Sequence, residues 1–231
     1  MNVRIGLIRK KPDWTREAFL QYWRATHGPL AARMPNLREY WQNVVTERMR
    51  RILSVPPGPW DFDGFSQLWF NDDQQASSAV KDSEFARALI DDEQHFLGTL
   101  HIVTAIQHVV VTVPAYAGRG ALWKRMSLVK RCPDITEDDF RREWEMHEEL
   151  IRKVPGVRGY RRNVVIGRER IKGQPCGYED LPIDGIVELW FETPQTLEAA
   201  FASPPGKRTM AHAQTFLSEI TAFLVRERRI V

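Results

Sequence analysis

One histidine in this chain sits where an imidazole could move a proton. Phe19, Trp23, Leu30 and Met34 recur near helical spacing and mark one apolar face. Counted at ~100° per residue, His27 falls on the edge of that face, aimed at an interior cleft and away from water. Gly28-Pro29 follows at once, and a proline has no N–H for the preceding turn, so the helix should kink or break beside the ring. A histidine placed there can serve as a general acid–base; the plainer alternative is a core histidine bonded to a carbonyl. Asp63, just before Gly64, could orient or charge-stabilise His27, or could simply form an Asp-Gly turn. Tyr40 and Asn43 lie three apart on an expected strand, so they face opposite ways and only one can look into the cleft. Tyr40 is the candidate phenol donor to a substrate oxygen, with a core tyrosine as its alternative. Trp23, Asn43 and Trp60 complete the candidate site as substrate-binding residues. Residues 55–62, rich in proline, read as a stiff loop that would rim or cover the cavity near His27.

Other chemistries find no support. His101 and His108 differ by seven along a strand and point to opposite faces, while His95 belongs to a separate helical segment. No His or carboxylate spacing matches a common metal site, so neither metal nor cofactor is expected. A phosphate-binding glycine loop and a Gly-x-Ser-x-Gly elbow are also missing from the sequence.

The elements that position His27 occur twice. Pro12, Asp13, Thr15, Phe19 and Trp23 recur as Pro133, Asp134, Thr136, Phe140 and Trp144. One residue is then lost, after which His27, Leu30, Pro35, Tyr40 and Asn43 recur as His147, Leu150, Pro155, Tyr160 and Asn163. Asp63-Gly64 matches Asp184-Gly185, and Phe96-Leu97 matches Phe216-Leu217. A period this long makes each copy a whole domain, with expected bounds 1–113 and 122–231 around the linker 114–120. His147, Asp184 and Tyr160 are the second-half equivalents of the candidate catalytic residues.

Each copy has the same element order. A short alternating strand (Val3, Ile5, Leu7; Met126, Leu128) precedes a helix capped by Thr15 or Thr136. Strands follow over 37–46 and 64–70, then a helix over 73–89 and a last strand over 102–113. The order βαββαβ is the ferredoxin-like motif. Such a sheet leaves one apolar face bare, and two fused copies can bury those faces against each other as an intramolecular, pseudo-dimeric α+β barrel.

The helix sequence Tyr22-Trp23-Arg24-Ala25-Thr26-His27-Gly28-Pro29-Leu30-Ala31, after Lys11-Pro12-x-x-Thr15-x-Glu17-x-Phe19, resembles the EthD domain family of dimeric α+β barrels. The likeness covers nearly the whole first half and returns, weakened, from Cys132 to Phe191. It implies cofactor-free enzymes that bind apolar cyclic substrates in a cleft between helices and sheet. Fold by itself does not give function.

Composition agrees with a soluble chain. Of 231 residues 43% are hydrophobic, and Lys+Arg 33 against Asp+Glu 30 leaves a net charge of +3, too slight to argue for nucleic acid. No apolar run approaches a membrane span, and the two cysteines, Cys132 and Cys176, form no metal or disulfide pattern, so a reduced, cytoplasmic setting is expected. The sequence therefore predicts a cofactor-independent lyase or isomerase for a small apolar, cyclic or aromatic oxygenated compound, with the fused pair free to form a homodimer. The rivals are a cofactor-free oxygenase of the same fold and a non-catalytic binding protein. The N-terminal half should carry the chemistry. In the second half the Trp144-x-x-His147 spacing should turn that ring elsewhere, Glu148-Glu149 should let the helix run unbroken, and the two carboxylates should ion-pair with His147.

Overall fold

The computed structural model describes residues 1–71, 84–171 and 173–231. The N-terminal half comprises β1 (Asn2–Lys10), α1 (Arg16–Tyr22), a π-helical turn (Trp23–His27), α2 (Gly28–Ala31), β2 (Leu37–Met49), β3 (Gly64–Phe70), α3 (Glu84–Phe96) and β4 (Leu97–Val111). A short α4 (Tyr116–Arg119) leads into β5 (Trp123–Arg131), α5 (Glu137–Ile151) and β6 (Gly159–Ile171). The chain ends with β7 (Gln174–Pro175), β8 (Gly185–Phe191), α6 (Pro194–Ala202), α7 (Pro204–Ala213) and β9 (Leu217–Arg229).

The strands run β4-β1-β3-β2 in the first half and β9-β5-β8-β6 in the second. Antiparallel pairing of β2 with β9, and of β4 with β6, joins the two sheets into a closed eight-stranded barrel, with β7 added outside on β6. Closure leaves the eight long strands without a free edge. The two seams are related in register: Met49 pairs with Ala222 where Glu169 pairs with Ile102.

The period-2 pattern of β1 explains how the core divides. Val3, Ile5 and Leu7 point into the barrel with Trp41, Phe65, Met126 and Phe223, while Ile8 faces the helices with Phe19, Trp23, Val44 and Phe96. Both strand faces are therefore buried, as apolar residues at both parities require. Inside the barrel Lys124 is fully buried, its ammonium 2.5 Å from Glu188 and 3.2 Å from Glu227. It also donates to Asn43 Oδ1 and Gln67 Oε1, each at 2.9 Å.

Thr15 and Thr136 cap their helices by accepting from Ala18 N and Asp139 N, both at 3.1 Å. Several boundaries differ from expectation, among them the end of β2 at Met49. The second helix runs over Glu84–Phe96 among the described residues, and the start of the expected 73–89 helix lies outside them. The last strand starts at Leu97 and ends at Val111, because Lys10 pairs with Leu97 and draws Gly98–Leu100 into the sheet. The linker does more than connect: Arg119 within it is buried, with its guanidinium 3.8 Å above the Trp41 ring and 3.1 Å from Glu227. No helix among the described residues is long and apolar enough to cross a membrane.

Candidate active site

Pro29 does disturb the helix, and the disturbance takes the form of a π turn over Trp23–His27. The Trp23 carbonyl accepts from the Gly28 N–H five residues ahead and from Gln42 Nε2 at 2.7 Å. A π turn carries one extra residue within an α-helix. That residue is the one the second copy lacks, where α5 runs unbroken through His147. The insertion is absorbed in the wide turn, so the two histidines end up equivalently placed. Each uses Nδ1 to reach a side chain 65 positions further on. The expected rotation of His147 to another direction therefore does not occur.

The partners differ, however. His27 Nδ1 lies 2.7 Å from Asp92 Oδ2, and the two side chains are only 8% and 9% exposed. Asp92 Oδ1 accepts a second bond from the Tyr22 hydroxyl at 2.7 Å. Burial would raise the Asp92 carboxyl, but the hydrogen bonds from His27 and Tyr22 and the charge on His27 outweigh it and hold it below the usual carboxylate range. Burial first, then the bond to Asp92, push the Tyr22 phenol up to about 12. Phe96 closes one side of the imidazole, its ring centroid 5.2 Å away.

His27 opens onto a cavity of about 40 Å³ between helices and sheet, lined also by Arg4, Met34, Tyr40, Leu68 and Phe70. The Tyr40 hydroxyl accepts from Trp23 Nε1 and Gln42 Nε2, both at 3.2 Å. Its own proton is left to give. Burial, opposed by those two bonds, holds this phenol far above its usual range, so it stays protonated and neutral. Tyr40 and His27 thus meet on one cavity.

The other candidates are elsewhere. Trp23 is core: its ring packs on Gly64, where an added Cβ would stand 2.6 Å from it. Asn43 faces the barrel interior, donating to Phe65 O and Gln67 Oε1. Asp63 Oδ2 accepts from Lys10 N at 2.9 Å, fastening β1 to the start of β3. The orientation of His27 falls to Asp92, and the plain turn reading of Asp63-Gly64 describes its placement. Asp184 does the same for Arg131 N at 2.8 Å. Trp60 stacks on Phe62 against the barrel core, 6.1 Å between centroids. The 55–62 loop does not line the His27 cavity. Pro56 O instead accepts from Ile220 N, and Val55 packs on the helix–sheet core of the other half.

In the second half Tyr160 repeats Tyr40, accepting from Trp144 Nε1 at 3.0 Å. His147 meets His212 in place of a carboxylate, Nδ1 to Nδ1 at 3.2 Å. Burial, with the charge of His212 added, pushes His147 down to about 3. The expected ion pair with Glu148 or Glu149 does not form: Glu148 is 2.7 Å from Arg162 and Glu149 3.3 Å from Arg152.

Sequence reasoning missed Asp92, Tyr22 and Gln42. A signal for the first was present. The Phe96/Phe216 match sets Asp92 opposite His212, and Asp92 stands one helical turn before Phe96, on the same face. Among the described residues no three His, Cys, Asp or Glu side chains converge as metal ligands.

The sequence model of the EthD domain matches residues 11–99 and again 132–219. Among curated proteins none matches the chain in sequence. Solved structures with the same architecture include an anthrone oxidase-like protein at 9% identity and a TM-score of 0.66, covering 99% of this chain and 92% of the other. A candidate monooxygenase from Lactobacillus acidophilus has 8% identity and a TM-score of 0.58, with coverage of 100% and 94%. A mutant chlorite dismutase from Candidatus Nitrospira defluvii has 9% identity and a TM-score of 0.51, with coverage of 97% and 90%. At such identities the likeness is one of fold.

Proposed function

The chain belongs to the EthD family, and from that premise we propose that it is a cofactor-independent lyase or isomerase whose N-terminal half works by acid–base catalysis at His27. The observation that carries this reading is the buried His27–Asp92 pair at 2.7 Å, opening onto a helix–sheet cavity. With Nδ1 engaged by Asp92, and no hydrogen bond to Nε2 among the described residues, Nε2 is the atom that exchanges a proton with substrate. It takes a proton from an acidic C–H or O–H, and the Asp92 carboxylate stabilises the imidazolium formed. Tyr40 gives a hydrogen bond to the oxygen on which negative charge gathers. The imidazolium then returns the proton, either to another atom of the same compound or to a hydroxyl that leaves as water. The cavity walls, Met34, Leu68 and Phe70, are apolar and suit the apolar part of a substrate.

The test is turnover of a panel of small cyclic ketones, lactones and hydroxyaromatics in deuterated buffer without dioxygen, followed by NMR. Deuterium should enter the product at the exchanged position. His27→Ala should lower the rate by ~10²–10⁴-fold, and Asp92→Asn should also lower it, while His147→Ala leaves it within a few-fold. Equal damage from His147→Ala would overturn the choice of active half. Strict dependence on dioxygen would instead make the protein an oxygenase, and ligand binding indifferent to His27→Ala, without turnover, would make it a binding protein.

A further inference from the structure

The helix–sheet cavity of the C-terminal half holds a guanidinium with no carboxylate paired to it among the described residues. Arg125 on β5 is 6% exposed, and its Nε has no hydrogen-bond partner among the described residues. Among the described residues its one hydrogen bond runs from Nη2 to the Ile52 carbonyl at 3.2 Å, and the guanidinium lies 5.2 Å from the Phe201 ring centroid. Burial pushes it down to about 10, so it remains a cation at neutral pH. Two residues on, the Ser127 hydroxyl is also buried and unpartnered. Both side chains line a cavity of about 60 Å³ whose other walls include Trp144, Ile151, Leu189 and Met210.

The first half shows how this chain satisfies the same position with a side chain of its own. Arg4 on β1 pairs with Leu68 as Arg125 pairs with Leu189, so the two arginines are equivalent. Arg4 is neutralised by Glu169, which crosses the barrel seam to meet it at 2.6 Å. On the other seam the position equivalent to Glu169 is Met49, since Met49 faces Ala222 where Glu169 faces Ile102. Arg125 thus holds the place of Arg4 with a methionine where Arg4 has its carboxylate. Burying a cation without a counter-charge is unfavourable, and an anion entering the cavity would offset it.

We propose that this cavity binds a short aliphatic carboxylate, whose head group pairs with Arg125 and Ser127 and whose tail packs on Trp144, Ile151 and Leu189. An ordered water needs ~10–15 Å³ of such space, so the cavity holds about four to six non-hydrogen atoms, the size of butyrate or isobutyrate. The site is formed by both halves, because the Ile52 carbonyl and Ser54 at its edge come from the N-terminal copy. It is separate from the His27 cavity and does not depend on the reaction assigned there.

The experiment measures butyrate and isobutyrate against butyramide, the neutral isostere, by calorimetry and thermal shift on the full chain at constant ionic strength. The acids should bind saturably and raise the melting temperature, and the amide should not. Arg125→Met should weaken acid binding about tenfold or more. Met49→Glu, which supplies the carboxylate found in the other half, should abolish it with Arg125 still in place, and Met49→Gln should retain it. If acid and amide bind equally, or if Met49→Glu binds butyrate as the natural chain does, the proposal fails. The pair of Met49 variants decides the matter even if Arg125→Met does not fold.

Discussion

Replacing His147 by leucine should change how stability responds to acid far more than it changes the fold. The ring lies beside His212 with no carboxylate paired to it among the described residues, and burial holds it down to about 3, against ~6.5 in an unfolded chain. Between those two values the unfolded state holds the proton and the folded state does not, so unfolding takes up a proton as pH falls. The contribution to stability is complete above ~6.5 and is lost progressively toward 3, at ~1.4 kcal/mol per pH unit. Between pH 7 and pH 5 this one imidazole should therefore cost the natural protein about 2 kcal/mol. In His147→Leu that share disappears, while every other titrating group is common to both proteins. Urea denaturation at pH 7, 6 and 5 measures the difference directly. The natural protein should lose about 2 kcal/mol more than the variant over that range. Parallel losses would mean that His147 titrates normally, and the reading of a neutral, structural histidine would be wrong.

Two further sets of variants test the packing that seats the site. Gly64→Ala and Gly185→Ala put a methyl 2.6 Å and 2.2 Å from the rings of Trp23 and Trp144; each should destabilise by about 1–3 kcal/mol in urea titrations, the second more than the first, and two neutral outcomes would refute the close ring–backbone contact. Lys124→Met strips the cation from between Glu188 and Glu227 inside the barrel and should cost about 3–5 kcal/mol by thermal or urea melting. Adding Glu188→Gln to Lys124→Met should recover part of that loss, and no recovery would contradict the pairing.

Much of this protein is determined locally and is legible in its sequence. Thr15 and Thr136 cap helices, alternation in β1 sorts Val3, Ile5 and Leu7 from Ile8, and the repeat itself implies two sheets that must cover each other. These features follow from short-range periodicity, and duplication reports each of them twice. The π turn is half legible: Pro29 announces a disturbance, but only the packing against Gln42 decides that it becomes a wide turn and not a break. The partners of buried polar groups are not legible at all. Asp92 and not Asp63 meets His27, Glu169 meets Arg4 while Met49 leaves Arg125 alone, and Arg119 leaves the linker to stack on Trp41. Each of these depends on which distant segments converge, and a hydrogen bond or ion pair is decided within a few tenths of an ångström. Periodicity places a residue on a face, and only the closed barrel selects what stands opposite it.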